Sequence, residues 1–419
     1  MTRLWSDADF ARLRETLAWV REHSPFYRER LANAGSIAEY AEFRRDVART
    51  LKTELAAEQR RDPPFGRLLA VPRSDVAQIH TSPGPIYIPR TPEERGGTPV
   101  LKHALQAMGV RPGEVAHVTL SYHVMPGGLR LHRALEEHGC VVFNGGTGSS
   151  ELQVEIARDL GASVYVGTPT FFANLLDTAR KMGLDPRRDL RYRLGFSTAQ
   201  SLTPELRREI EGGFGVELFD HIGEALIGPV AGECREHRGM HVHSTELFLE
   251  LLDPESGEPI MPGAIGELVA THVGRRAMPL VRYAPGDGYR ILDGDCPCGD
   301  PAPRVEFVGP VGVIRKVKGV LIHPAQVARA LAEFPEIGRF QIVVDRPEAS
   351  RYERATIRLG LRGPVADAAA LGGRVAERLK ANVLIQMETE MCAEEAIPAA
   401  AAGPAFREAI VDRSGVHPR

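Results

Sequence analysis

The sequence predicts an α/β protein of two domains: a large N-terminal domain of parallel sheet with covering helices plus a β segment (1–311), and a small α+β domain (312–419). Three observations predict it. A length of 419 residues exceeds what one hydrophobic core usually serves. Between 115 and 196, short apolar runs alternate with amphipathic stretches of helical length, the pattern of a parallel, helix-covered sheet. From 246 the texture turns to Leu/Val/Glu alternation broken by turns, and after 320 to a short mixed series.

In order along the chain, residues 7–34 predict a helical segment, because Phe10, Leu13, Leu17, Val20 and Phe26 recur at helical spacing before Gly35. The Pro/Gly-rich stretches 83–99 and 125–128 predict loops. Strands are expected at 115–120, 141–143, 163–167 and 190–196, with helices at 129–137, 151–160 and 170–182 between them. Turn-punctuated sequence from 246 predicts antiparallel pairing. The small domain should contain a helix at 324–334, strands at 339–345 and 354–361, and a helix at 366–382, with the boundary near Gly312. The Ala/Pro/Gly run 396–405 reads as a flexible loop, and no internal repeat is present.

The composition is 43% hydrophobic and 26% charged, with a net charge of −3, so it predicts no nucleic-acid surface. There is no apolar stretch near membrane-spanning length, and no apolar run follows the charges of the N-terminus, so neither a membrane span nor a signal peptide is expected. Five cysteines do not make a disulfide framework. The cytoplasm is the expected compartment.

Several segments, in order, carry a resemblance: SPFYRERL (24–31), PPFGRLLAVPRSDVAQIH (63–80), the stretch 126–171, FDHIG…GPVAGEC (219–234), MPLVRYAPGDGYR (278–290) and KVKGVLIHPAQV (316–327). Together they resemble the phenylacetate–CoA ligase family of the adenylate-forming superfamily, over roughly 20–345. The resemblance implies an adenylate-forming-type large domain, a small C-terminal lid domain, and a site served by both. Family members adenylate a carboxylic acid with ATP and pass the acyl group to CoA. The implied partners are therefore a small carboxylic acid or its acyl thioester, with CoA, and family precedent suggests a homodimer.

Against that pattern the ATP-handling segments depart. The family's phosphate loop, rich in Ser, Thr and Gly, is here His80-Thr81-Ser82-Pro83-Gly84-Pro85-Ile86-Tyr87-Ile88-Pro89, where only Ser82 and Gly84 persist. Proline has no N–H to offer a phosphate. Where the family has Gly-Met-Thr-Glu, an ungapped alignment gives Gly223-Glu224-Ala225-Leu226, leaving Glu224 two positions early as the candidate metal-binding acid. The ribose-binding acid persists as Asp287. The hinge, Gly309-Pro310-Val311-Gly312, has lost its Arg and acidic pivot, although Lys318-Gly319 remains and Lys318 is the candidate catalytic cation. No lysine lies in 398–412, where Arg407 is the sole cation; an Arg is a poor substitute for a compact ammonium. Removing one preorganised donor costs on the order of 10²–10³ in rate, so ATP and Mg are doubtful for this chain.

Other candidates come from strand ends and family positions. Tyr122 and His123 follow a strand end, where α/β folds place their clefts. His221 matches a family histidine near the acyl pocket, and Phe171, in a segment flanking that pocket, is an aromatic contact or a core residue. Thr198-Ala199-Gln200 replaces a family Gly-Glu-Pro beside the adenine, with Thr198 the candidate contact. Arg275-Arg276 could meet an anion, though adjacent arginines usually form a solvated face. Cys234, His241, Cys296 and Cys298 have the ligand types of a closed tetrahedral zinc site, with His237 and His243 competing for the histidine place. Some relatives carry cysteines and a histidine at matching places, which supports structural zinc. Cys140 and Cys392 read as core thiols.

The expected function is that of a phenylacetate–CoA ligase-like protein acting on an aromatic carboxylic acid or its activated form, with ordinary ATP-dependent adenylation impaired or lost. A still-active ATP-dependent aryl-CoA ligase and a catalytically dead ligand- or partner-binding relative are the alternatives.

Overall fold

The computed structural model describes residues 3–414 except 33–36, 83, 97–98, 243–244, 254–255, 311–314, 318–319, 323, 348–349, 351, 384 and 403–408. The chain divides into two units, Met1–Pro285 with Tyr289–Glu306, and Gly286–Gly288 with Phe307–Arg419. The boundary expected at Gly312 lies outside the described residues, as does Gly35.

The N-terminal helix stops well before residue 34. A capping box of Ser6 and Asp9 starts α1 (Asp7–His23), and Ser24 ends it in an extended conformation. The same Ser24 then caps α2 (Pro25–Arg30), its hydroxyl accepting from the Tyr27 N–H. Pro25 forces the break, because it disfavours helical backbone at Ser24 and suits the first turn of a new helix.

Residues 83–99 are not one loop. β1 (Gln78–Ser82) and β2 (Ile86–Arg90) pair as an antiparallel hairpin in register from Gln78↔Arg90 to Ser82↔Ile86. Fully buried Ile86 and Ile88 anchor it, and Pro89 sits in a two-stranded ribbon, where a missing N–H is tolerated. The Gln59 side chain occupies the other edge of β2: its amide N–H donates to Tyr87 O at 2.8 Å and its carbonyl accepts from Tyr87 N at 2.7 Å.

The expected strand–helix alternation follows as β3 (Val115–Val118), α3 (Pro126–His138), β4 (Val141–Asn144), α4 (Ser150–Leu160), β5 (Val164–Gly167), α5 (Pro169–Lys181), β6 (Leu194–Ser197), α6 (Pro204–Phe214) and β7 (Glu217–Glu224). All five strands are parallel in the order β4-β3-β5-β6-β7. Pro126 and Gly127 open α3 rather than forming a loop. Gly128 is required there, since a Cβ would lie 2.3 Å from the Ser121 carbonyl oxygen. One face of the sheet is covered through Leu105, Leu131 and Leu135, the other through Phe172, Leu176 and Phe214. Cys140 lies in the first of these cores, where burial pushes its thiol up to about 11.

Beyond β7 the pairing turns antiparallel: β8 (Gly228–Glu233) on β7, β9 (Met240–Val242) on β8, and β10 (Leu247–Leu252) on β11 (Ile265–His272). In the second unit β12 (Ile337–Asp345) and β13 (Arg354–Leu361) pair antiparallel, while β14 (Glu388–Ala393) and β15 (Ile410–Asp412) flank them in parallel. With α7 (Pro324–Leu331) and α8 (Ala368–Val383) they enclose a core of Val327, Ile342, Ile357, Leu371 and Leu379. Cys392 packs against that core, half-buried. The run expected as a flexible loop contains a 3-10 turn at Glu394–Ala396 and a short helix at Ala399–Ala402, held by fully buried Ile397 and Ala401. Among the described residues no helix is long and apolar enough to cross a membrane.

Candidate functional site

In a parallel sheet the order reverses where connections leave to opposite sides, and ligands bind outside the carboxyl ends of the strands there. In this sheet the reversal lies between β3 and β5. Tyr122 and His123 follow β3, Phe171 follows β5, Thr198 follows β6, and His221 and Glu224 belong to the end of β7. The chain thus places six candidates at one edge of one sheet.

Their local chemistry differs. The Tyr122 hydroxyl donates to Asn144 Oδ1 at 3.1 Å, and His132 Nδ1 bonds the same oxygen at 2.7 Å. Burial raises the Tyr122 pKa, so it stays a neutral phenol. His123 is exposed, with Nδ1 3.4 Å from Ser121 Oγ. Phe171 is half-buried and packs against the core beside Phe172, its N–H donating to the Thr168 hydroxyl at 3.3 Å. Thr198 is half-buried, its N–H donating to Gly167 O at 3.0 Å; Thr170 and Gln200 are hydrogen-bonded across the two strand ends. His221 stacks on Phe196 with ring centroids 3.8 Å apart and planes 7° apart. Its ring lies against Gly232, where a Cβ would approach Cδ2 to 2.3 Å.

Glu224 closes its own turn. Its Oε2 accepts from the Leu226 N–H at 2.7 Å and the Ile227 N–H at 3.2 Å, and Oε1 lies 3.7 Å from Lys52 Nζ. Both side chains are about nine-tenths buried, and Leu226 is fully so. Lys52 opens the helix Lys52–Arg61, and a lysine so remote in sequence carries no mark of its partner.

The hairpin in the phosphate-loop position is drawn to the same edge, because the Thr81 N–H donates to Val124 O at 2.8 Å. Ser82 is buried, and Gly84 adopts φ 104° with open space around it. Pro83 lies outside the described residues, as do Val311, Lys318, Gly319 and Arg407. Asp287 opens the strand Asp287–Leu292, half-buried, in the segment assigned to the second unit. Arg275 and Arg276 are not a common solvated face: Arg275 is 4% exposed, while Arg276 is exposed and covers the Trp19 ring at 4.1 Å.

Cys234, His241, Cys296 and Cys298 bring their ligand atoms within 4.8 Å of one another. Cys234 Sγ and Cys296 Sγ are 3.7 Å apart, and Cys298 Sγ and His241 Nε2 are 3.4 Å apart. Tetrahedral zinc with ordinary bond lengths sets the sulfur–sulfur edge at about 3.8 Å and the sulfur–nitrogen edge at about 3.6 Å, so the donor set fits that ion. His241 Nδ1 faces the Ala302 carbonyl at 3.2 Å, which fixes the proton there and leaves Nε2 for the cluster. The Asp300 N–H points at Cys298 Sγ at 3.4 Å. His237 is turned to Glu233 and Glu217 instead, at 3.2 and 3.4 Å; His243 lies outside the described residues.

Comparison with known proteins agrees with this architecture. Residues 319–405 match the family model of the AMP-binding enzyme C-terminal domain. The chain is 34% identical over 348 residues to a phenylacetate–coenzyme A ligase of Thermus thermophilus, covering 80% of this chain and 77% of that one. It is 32% identical to a Pseudomonas putida phenylacetate–coenzyme A ligase, over 78% of this chain and 75% of that one. A crystal structure of 2-hydroxyisobutyryl-CoA ligase, with 2-HIB-AMP and CoA, shares the fold with a TM-score of 0.86 at 23% identity, covering 97% and 89% of the two chains. With a third of its residues matched across four-fifths of its length, the chain belongs to the phenylacetate–coenzyme A ligase family.

Proposed function

We propose that this protein is an acid–CoA ligase-type enzyme that binds a small carboxylic acid, or its acyl thioester, at the carboxyl ends of β3, β5, β6 and β7, and that its ordinary ATP-dependent adenylation is impaired. The observation that carries the second half is the Glu224 turn. An acid that holds a nucleotide-bound Mg²⁺ needs free carboxylate oxygens facing the phosphates, whereas Glu224 caps two backbone N–H groups and faces Lys52. The hairpin with buried Ile86 and Ile88 supports the same reading, since a phosphate cradle needs convergent N–H groups and hydroxyls. Within this reading Tyr122 offers a neutral hydroxyl to the acyl group and His221, held flat by Phe196 and Gly232, forms one wall.

Pyrophosphate exchange over a panel of aromatic and short aliphatic acids is the deciding assay, run beside turnover of the matching acyl-CoA without ATP. Acyl-CoA turnover without exchange is the expected result; brisk ATP-dependent exchange would overturn the impairment. That opposite outcome is the second reading, a working ATP-dependent acid–CoA ligase, and family membership over 80% of the chain favours it.

The Cys234, His241, Cys296 and Cys298 cluster belongs to the same reading as a structural zinc site, closed by four protein ligands and lacking a position for substrate. Elemental analysis of purified protein should find close to one zinc per chain; less than about half an equivalent, in protein never exposed to chelators, would count against it.

A further inference from the structure

A cavity of about 710 Å³ in the large unit is walled by three arginines from three separate elements: Arg90 at the end of β2, Arg130 in α3, and Arg275 just after β11. Arg90 is 9% exposed and Arg275 is 4% exposed. Part of the Arg130 side chain reaches solvent, but its guanidinium is enclosed: burial, and then Arg90, draw its pKa down to about 9. Burial followed by Arg90 and Arg130 likewise lowers Arg275. A guanidinium stays protonated in practice, so these directions reflect first the cost of burying each charge and then the neighbouring positive charges.

The cavity's own acids do not answer all of it. Glu246 and Glu94 face the arginines, and Asp75 and Glu93 lie on the exposed rim with Arg276. Glu94 is already engaged by backbone: it accepts from the N–H groups of Thr91, Arg276 and Ala277. His272 is held neutral by burial and by the arginines, its Nε2–H donating to Ile227 O at 2.8 Å. Arg275 donates one Nη1 bond to the Leu226 carbonyl, while its Nε and Nη2, and Nη2 of Arg90, have no hydrogen-bond partner among the described residues. Buried donors without partners are costly, the more so when charged. Two such donors, Nε and Nη2 along one edge of the Arg275 guanidinium, match the two oxygens of a carboxylate or phosphoryl group.

We propose that this cavity is a binding site for an oxyanion-bearing small molecule, whose carboxylate or phosphoryl oxygens take the free donors of Arg90 and Arg275. The proposal does not depend on the acid–CoA ligase reading, because a simple anion can occupy the site whatever reaction the protein performs.

The test is calorimetric titration of the full chain with inorganic phosphate and, separately, with malonate, at constant ionic strength with chloride as the background anion. Saturable one-to-one binding is expected. Binding of phosphate but not malonate assigns a phosphoryl group, the reverse assigns a carboxylate, and binding of both assigns the shared oxyanion chemistry. Arg275→Gln should weaken binding by about tenfold or more, the scale of a charge-assisted hydrogen-bond pair. Ser74→Glu, which adds a negative charge on the exposed rim away from the packed interior, should weaken it several-fold and keeps the test open if Arg275→Gln does not fold. Absence of saturable binding for both anions overturns the proposal, and so does binding that the folded variants leave unchanged.

Discussion

The cysteine–histidine cluster and the Glu224 turn both offer groups a metal could use, and they direct those groups oppositely. In the cluster, the hydrogen-bonding capacity of the periphery fixes the donors while leaving them aimed at one another: Ala302 takes the far nitrogen of His241, and the Asp300 N–H supports Cys298. At Glu224 one carboxylate oxygen takes two N–H groups of the following turn, and the other is held 3.7 Å from the buried Lys52 ammonium. A residue's type suggests what it can bind. What its neighbours have already bonded decides whether it does.

The sharpest way to break this comparison is at the cluster. Cys298→Ser, or Cys296→Ser, should cut bound zinc from about one to well under half an equivalent and lower the thermal midpoint by several degrees, because closed zinc sites contribute folding energy directly. Elemental analysis with calorimetry reads both, and retained zinc would remove the distinction. At the turn, Glu224→Gln should lower unfolding stability by about 1–3 kcal/mol without any nucleotide present, since it weakens two N–H bonds and leaves Lys52 buried with a neutral neighbour. Denaturant titration measures it; unchanged stability would mean the carboxylate is not a structural cap.

Two histidines repeat the contrast. His241 keeps a nitrogen for the cluster, whereas His117 has both taken up in the core, Nδ1 accepting from Tyr192 at 2.6 Å and Nε2–H donating to Gln153 at 2.8 Å. Burial draws the His117 pKa down to about 4. The folded pKa lies below the unfolded value near 6.5, so the unfolded chain takes up the proton first. Stability is therefore full above about pH 6.5 and falls as pH drops toward 4. Between pH 7 and pH 5 this group should cost about 1–2 kcal/mol, read as the part of the wild-type loss that His117→Gln abolishes in paired urea titrations. The smallest effect is expected at Arg276, the exposed neighbour of buried Arg275. Arg276→Ala should cost only about 0.5–1 kcal/mol, the contact with Trp19 being solvent-exposed, and a larger loss would mean that the two arginines act as a unit.

The parallel sheet was legible because its signal is local: short apolar runs such as 163–167 separated by amphipathic stretches of helical length. The cysteine cluster was legible because few other environments call for those residue types together. The β1–β2 hairpin was not, since Pro83, Pro85 and Pro89 mask two strands whose evidence, buried Ile86 and Ile88, depends on what covers them. The single helix expected over 7–34 ignored what Pro25 does to Ser24. The run 396–405 looked loose by composition, yet Ile397 and Ala401 are fixed by a distant core. Least visible were Lys52 and Arg275, because buried charge is defined by partners far away in sequence, and an arginine beside another arginine reads as surface.

Ser24 has a consequence for what the chain can tolerate. It is at once the C-cap of one helix and the N-cap of the next, with no other residue between them. An inserted or deleted residue at this point would rotate α2 by about 100° about its axis. Phe26 and Tyr27 would then leave their buried seats, and the hydrogen bond from the Val281 N–H to the Tyr27 hydroxyl, 3.1 Å long, would be lost. Threonine or aspartate in place of Ser24 can still cap a helix. At this corner the chain can absorb a change of letter far more readily than a change of count.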